Sequence, residues 1–407
     1  MHGSTTVVSI FWSLTLRICI VLKSTDTLPI VANHVKGIRA RTHATKIETM
    51  ANVFLIDLEA VSTRYTGEWK LHVPQLLKKA GHNVQVISGP EDIPDATTPG
   101  AFLNFGGTNI YKSAQVEQIS RLFCDGSIRA NDHFIFTDAW HPGIINLKYM
   151  SELLGIPVIT HGLWHAGSYD PQDFLGRLVG DKPWVRNAEK SFFHAFDHNY
   201  FATKFHIEMF MENLLGIDFR TGAMRYMQDN NIVKSGWPME YMSETLKDYQ
   251  TIPKRDLILF PHRIAPEKQV EIFRDLATHL PQYEFVVCQD TRLTKQEYHT
   301  LLGQAKIVFS ANLQETLGIS CYEGALVDAI PMVPDRLSYS EMYYEGFKYP
   351  SEWTESFEKY EVYRQQLCHH IIATMTHYDK RVPQVCKQAS DLTELFFSAN
   401  KLLEMIK

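Results

Sequence analysis

A chain of 407 residues exceeds what one hydrophobic core usually supports, and a composition that is 45% apolar and 12% aromatic can fill two. The formal charge is −6, and six Lys/Arg against two Asp/Glu in residues 1–49 leave the remainder near −10, so the overall field excludes unassisted attraction to nucleic acid. Six scattered cysteines without a C-x-x-C pair exclude a disulfide framework and a zinc ribbon, and read as reduced thiols of a cytoplasmic protein.

The apolar run at 7–22 is broken by Arg17 and is short for a membrane span. It also lacks the charged lead and small-residue cleavage site of a signal peptide. Met50 directly precedes ANVFLIDLE, so residues 1–49 are expected to be an unstructured extension, with a membrane anchor or targeting segment as the alternatives. No stable membrane association is expected.

From residue 50 to about 240, strand and helix patterns alternate. VFLIDL (53–58), AGHNVQVIS (80–88), AFLNFGG (101–107), HFIFTDAW (133–140) and IPVITHG (156–162) read as strands. A polar loop at 62–69 leads into a helix ending at Lys79, and SAQVEQISRLF and GIINLKYMSELLG read as later helices. This alternation predicts a parallel, doubly wound sheet, whose ligands sit at the carboxyl ends of its strands. The residues just past those strands are therefore the candidates: Gly67, Gly106, Gly107, Asp138, His141, His161 and His165. His161 closes the run PVIT, and His165 is the competing assignment. Gly67 would lie in a loop over the acceptor or donor phosphate, while Asp138 and His141 are either ligands or cap and turn residues.

The stretch 177–206 interleaves Arg177, Lys182, Arg186, Lys190 and Lys204 with Trp184, Phe192, Phe193, Phe196, Tyr200 and Phe201. An amphipathic helix with its aromatic face in the core is expected there, followed by the strand HNYFAT. A surface that stacks nucleobases is the competing reading. A polar linker is expected at 236–252, followed by a second domain over 253–375 with strands at DLILF, YEFVVCQ, KIVFS and IPMVP. Residues 376–407 are expected to form a helix returning to the first domain.

Two stretches of the second domain carry the chemistry. FPHRIAPEK (260–268) places Arg263 and Lys268 where a strand gives way to a helix, and free amides, the helix dipole and two cations suit a diphosphate. ETLGISCYE (315–323) spaces Glu315 and Glu323 around Gly318, with the amides of Leu317, Gly318 and Ile319 aimed at the same group. The carboxylates are left for hydroxyls, and the ligand class that fits is a nucleotide sugar. With no Asp-x-Asp motif and no His/Cys cluster, neither a catalytic metal nor a cofactor is implied.

These stretches resemble the donor domain of retaining glycosyltransferases of family 4. They are nearest the tRNA-queuosine mannosyltransferase-like branch and the viral nucleobase glycosyltransferases, which share Pro-His-Arg (261–263), the Lys five positions on, Glu-x7-Glu, and counterparts of Pro331, Pro334 and Glu341. The resemblance is specific over 255–345, looser over 50–235, and absent before residue 50. It implies an α/β GT-B fold, two Rossmann-like doubly wound domains facing across a cleft. The implied reaction moves a sugar, with retention, from a nucleotide-sugar donor to a hydroxyl, here one on a modified nucleobase of DNA or tRNA. The alternatives are a saccharide, lipid or small-molecule acceptor, or a nucleotide-sugar epimerase of the same fold. In the implied roles, Arg263 and Lys268 take the leaving diphosphate, Glu323 the ribose, Glu315 the donor sugar, and His161 lies in the catalytic cleft. Asp328 departs from the pattern: the family has Gly in the turn before Pro331.

Overall fold

A computed structural model describes residues 50–60, 65–94, 104–221 and 223–406. The expected extension at 1–49, loop positions 62–64 and the start of the run at 101–103 lie outside them. In the first sheet β1 (Asn52–Ile56), β2 (Asn83–Ile87), β3 (His133–Phe136), β4 (Ile159–Trp164), β5 (His198–Phe201) and β6 (Ile232–Lys234) lie in the order 2-1-3-4-5-6, all parallel. The second sheet runs 11-10-9-7-8, again parallel, from β7 (Leu257–Phe260), β8 (Glu284–Val287), β9 (Ile307–Phe309), β10 (Ile330–Pro334) and β11 (Lys348–Tyr349). Strands β3, β7, β9 and β10 are buried at every residue, which is why they read as unbroken apolar runs: helices cover both faces of a parallel sheet.

Strand order sets where the sites form. In the first sheet the chain reverses direction beside β1, with β2 on one side and β3 on the other; in the second it does so beside β7, between β8 and β9. Loops diverge at such switch points and leave a crevice at the carboxyl ends. One continuous apolar core joins the two sheets, running from Val53, Leu55, Trp69 and Trp237 to Leu257, Leu259 and Tyr322. The last long helix, Tyr378–Phe396, ends against the segment following β6, where the Trp237 amide donates to the Phe396 carbonyl at 2.8 Å and Lys234 lies over the Phe396 ring.

Three local expectations are corrected. The run AFLNFGG does not continue as a strand, because Asn104 accepts a hydrogen bond from the Gly107 amide at 2.8 Å and caps a helix over Phe105–Cys124. Gly106 and Gly107 therefore sit in a first helical turn. Gly67 likewise belongs to the helix Tyr65–Lys79 and not to a loop. Strand β4 extends to Trp164, so His161 and Gly162 are interior to it. Gly162 serves packing there, since a Cβ at this position would come within 2.7 Å of the Phe196 ring.

The aromatics of the 177–206 stretch go to the core as expected. Phe192, Phe193, Phe196, Tyr200 and Phe201 are all at most 4% exposed, and only Trp184 faces outward. Burying each such ring is worth about 2–3 kcal/mol, more than a surface stacking role would return. Asp328 adopts φ 63°, the left-handed conformation a glycine would take, and its carboxylate accepts from Gln250 at 3.1 Å. The turn before Pro331 is thus preserved despite the substitution.

Candidate active site

The loop leaving β7 turns through His262 and Arg263 into a short 3-10 turn, Pro266–Lys268, before the helix Val270–His279. The Arg263 guanidinium donates to Glu267 Oε1. Lys268 is 6% exposed, and its Nζ bonds the Gln314 carbonyl and lies 3.4 Å from Glu315 Oε2. The strand–helix junction therefore delivers one accessible cation and one buried cation to the end of β9.

The loop after β9 supplies the opposing wall. Glu315 Oε1 accepts from the amides of Thr316 (3.2 Å) and Leu317 (3.4 Å), and Oε2 from Asn312 at 3.3 Å. Burial would raise the Glu315 carboxyl, but the charge of Lys268, with His262 and the nearby amides, outweighs it and holds the group below the ordinary value. Glu315 is thus ionised and holds the loop that leads into the helix Ile319–Leu326. Gly318 precedes that helix at φ 77°, and a Cβ there would approach Tyr339 Cε1 to 2.6 Å. Gly318→Ala is therefore expected to destabilise the protein by about 1–3 kcal/mol, measured as a fall in the urea midpoint at constant m.

Glu323 sits one turn deeper, 9% exposed, accepting from the Tyr298 hydroxyl at 2.7 Å. Burial pushes its carboxyl up to about 7, only partly offset by Tyr298 and Lys295. Lys295 bridges to Glu68 of the first domain at 2.5 Å, so Glu323 lies beside an interdomain contact.

From the first domain, the ends of β3 and β4 face these loops. Asp138 accepts from Lys112 Nζ at 3.1 Å and from the Trp140 amide at 3.0 Å; burial opposes its charge, but the Lys112 charge and these two hydrogen bonds hold it low. His165 is the first residue past β4. Its Nε2 donates to the Thr137 carbonyl at 2.6 Å, so Nδ1 is the acceptor of the Tyr65 hydroxyl at 2.7 Å. The His165 carbonyl in turn accepts from Thr316 at 3.2 Å, which seats it against the Glu315 loop. Burial keeps the imidazole neutral by pushing its pKa down.

His161 is different. It is fully buried in the middle of β4, with Nε2 at 2.9 Å from His133 and Nδ1 at 2.8 Å from Tyr200, and its ring stacks on His198. His161 is therefore not at a strand end as expected but is enclosed by His133, His198 and Tyr200 of the neighbouring strands, whereas His165 lies just past β4. His141 is also buried, bonded to Gln115 and capping Gly143, and takes no part in the crevice. Gly67 sits in the first turn of its helix, two residues after the Tyr65 that bonds His165.

Several participants were not anticipated. Glu267 is wholly buried and carries both Arg263 and Arg177. Gln314 donates to Asp170 across the crevice at 3.2 Å. Arg336, just past β10, donates to the carbonyls of Ala311 and Asn312 (both 2.7 Å) and fixes the loop that presents Glu315. Its position after a strand was a usable signal, whereas Glu267 was legible only as the residue four beyond Arg263. Among the described residues no group of His, Cys, Asp and Glu could hold a metal ion, and no helix is long and apolar enough to cross a membrane.

Two successive parallel-sheet α/β domains of this kind match the GT-B glycosyltransferase fold. Neither a family model nor a curated protein sequence matches the chain. Solved structures do. The catalytic domain of starch synthase IV from Arabidopsis thaliana, bound to ADP and acarbose, matches with a TM-score of 0.53 and 9% identity, covering 87% of this chain and 97% of that one. Sucrose-phosphate synthase from Thermosynechococcus elongatus has a TM-score of 0.53 and 10% identity, covering 88% and 97%. HepE from Anabaena in complex with UDP has a TM-score of 0.51 and 11% identity, covering 88% and 99%. At these identities the likeness is one of fold.

Proposed function

We propose that the protein is a retaining glycosyltransferase that moves a sugar from a nucleoside-diphosphate sugar to an acceptor hydroxyl. The observation that carries this reading is the convergence of Lys268 and the amides of Thr316 and Leu317, at the entry to the Gly318 helix, on one carboxylate, Glu315, with Arg263 on Glu267 at the same strand–helix junction as Lys268. Cleavage of the bond from anomeric carbon to phosphate oxygen leaves its electron pair on the diphosphate. In this reading Arg263, Lys268 and the amides of Leu317, Gly318 and Ile319 take that charge, and donors placed in advance in this way usually supply more of the rate enhancement than any other single effect. Glu315 holds sugar hydroxyls and favours positive charge at the anomeric carbon, and Glu323 grips the ribose. The acceptor oxygen attacks from the leaving-group side and its proton passes to a phosphate oxygen. Tyr65 and His165, beside Asp138, orient that hydroxyl. No metal or cofactor enters this scheme.

For the acceptor, the resemblance implies a nucleobase of DNA or tRNA. Three of the five cations of the 177–206 stretch speak against a polynucleotide surface there, which favours a smaller acceptor: Arg186 is spent on the carbonyls of Gly180 and Asn213, Lys182 on Asp181, and Lys204 on the Phe219 ring. The protein is to be incubated with UDP-, GDP- and ADP-sugars, with and without oligosaccharides, hydroxymethylated DNA or tRNA, and products read by mass spectrometry. A sugar-sized gain on an acceptor supports transfer and identifies its class. An epimer released without any acceptor would replace transfer by epimerisation.

A pH dependence follows from Glu323. Its ionised form is the one that accepts from ribose hydroxyls, and burial places its titration at about 7. Donor affinity is therefore expected to rise between about pH 6 and about pH 8, and Glu323→Gln to flatten that profile and weaken binding. Calorimetry at the two pH values checks it; an unchanged slope in the variant removes Glu323 from the ribose.

A further inference from the structure

We propose that Arg177, contributed by the first domain, is a positioning residue for the donor diphosphate, acting through Glu267 on Arg263. This rests on the reading above and extends it to a residue of the opposite domain. Arg177 lies on the short helix Phe174–Val179, and its Nη1 reaches Glu267 Oε2 at 3.0 Å, while Arg263 takes Oε1. The Glu267 side chain is 0% exposed, whereas those of Arg177 and Arg263 remain 34% and 29% exposed, so the two guanidiniums flank a carboxylate that water does not reach.

The charges show why a second arginine matters. Arg263 with Glu267 sums to zero, as does Lys268 with Glu315. The first domain adds two carboxyls beside these groups: Asp170, bonded to Gln314, and Asp173, which lies within reach of the Arg263 charge. With these carboxyls ionised, acidic groups outnumber cations by two in the absence of Arg177 and by one in its presence, so Arg177 lowers the repulsion a diphosphate meets. With Arg177 on the far oxygen of Glu267, the carboxylate's charge is shared between two guanidiniums, and more of the Arg263 charge is left to act on phosphate. Because Glu267 belongs to the second domain and Arg177 to the first, this sharing exists only when the domains sit as they do here. Phosphate affinity and domain approach are thereby coupled.

The test is calorimetry on the full chain with UDP, GDP and ADP and their monophosphates, in wild type, Arg177→Gln and Arg177→Lys. The wild-type preference for a diphosphate over its monophosphate is expected to fall about tenfold or more in Arg177→Gln, with monophosphate affinity unchanged, and to be partly restored by Arg177→Lys. In a Glu267→Gln background, Arg177→Gln is expected to change the preference no further. Equal losses for mono- and diphosphate would make Arg177 a structural strap and overturn the proposal, as would an unchanged preference. If Arg177→Gln does not fold, Arg177→Lys alone decides, by showing a preference below that of wild type or equal to it. A wild type with no diphosphate preference for any of the three bases would instead sink the glycosyltransferase reading, before any variant is compared.

Discussion

Replacing Arg263 by alanine is expected to lower kcat by about 10²-fold or more while leaving the fold intact, the usual consequence of removing one preorganised donor from developing negative charge. The side chain is partly exposed on the crevice, so its loss opens no core cavity. It does leave Glu267 buried, but Arg177 remains on Oε2 to balance that carboxylate. The effect should therefore fall on the chemical step and not on stability. Single-turnover kinetics with the donor found active would measure it, and near-normal turnover at saturating donor would show that Arg263 does not face the leaving group.

Lys268→Met should act on both turnover and stability. Lys268 is almost wholly buried and its ammonium lies against the Glu315 carboxylate, so its removal strands a charge in a poorly solvated site. Breaking one side of such a pair typically costs about 3–5 kcal/mol, and the amides still bonded to Glu315 place this case at the lower end, about 3 kcal/mol. Turnover should fall beyond detection, since the diphosphate loses a cation and the Glu315 loop its tether. The double variant Lys268→Met/Glu315→Gln separates the two effects: removing the stranded charge is expected to recover most of the stability and none of the activity. Were the double variant as unstable as the single one, the ion pair would not be what holds the loop.

Much of the donor side is legible in the sequence because its signals are short-range. Arg263 and Lys268 lie at one junction, and Glu315, Gly318 and Glu323 within one loop and the helix after it, so local backbone rules place them without knowledge of the sheet. The positive φ at Gly318 and at Asp328 follows the same logic: turn geometry is set over a few residues. The first-domain side is less legible because its signals depend on packing. A glycine ordinarily marks the end of a strand, yet Gly162 is inside β4 because the Phe196 ring, 34 positions on, leaves no room for a side chain. That displacement leaves His161 inside the strand and His165 just past its end. The pair Gly106–Gly107 misleads in the same way, being drawn into a helix by the Asn104 cap.

By itself, the sequence determined two alternating α/β halves, each strand's apolar character and the presence of a cationic junction beside a carboxylate-bearing loop, since periodicity and turn chemistry are properties of neighbouring residues. Only the tertiary structure decided which histidine lies past the end of β4, and that Arg177 reaches Glu267 and Gln314 reaches Asp170. Those pairings join positions 90 and 144 residues apart, brought together by the packing of the loops that follow inner strands of one sheet against those of the other, and no local preference encodes such a distance.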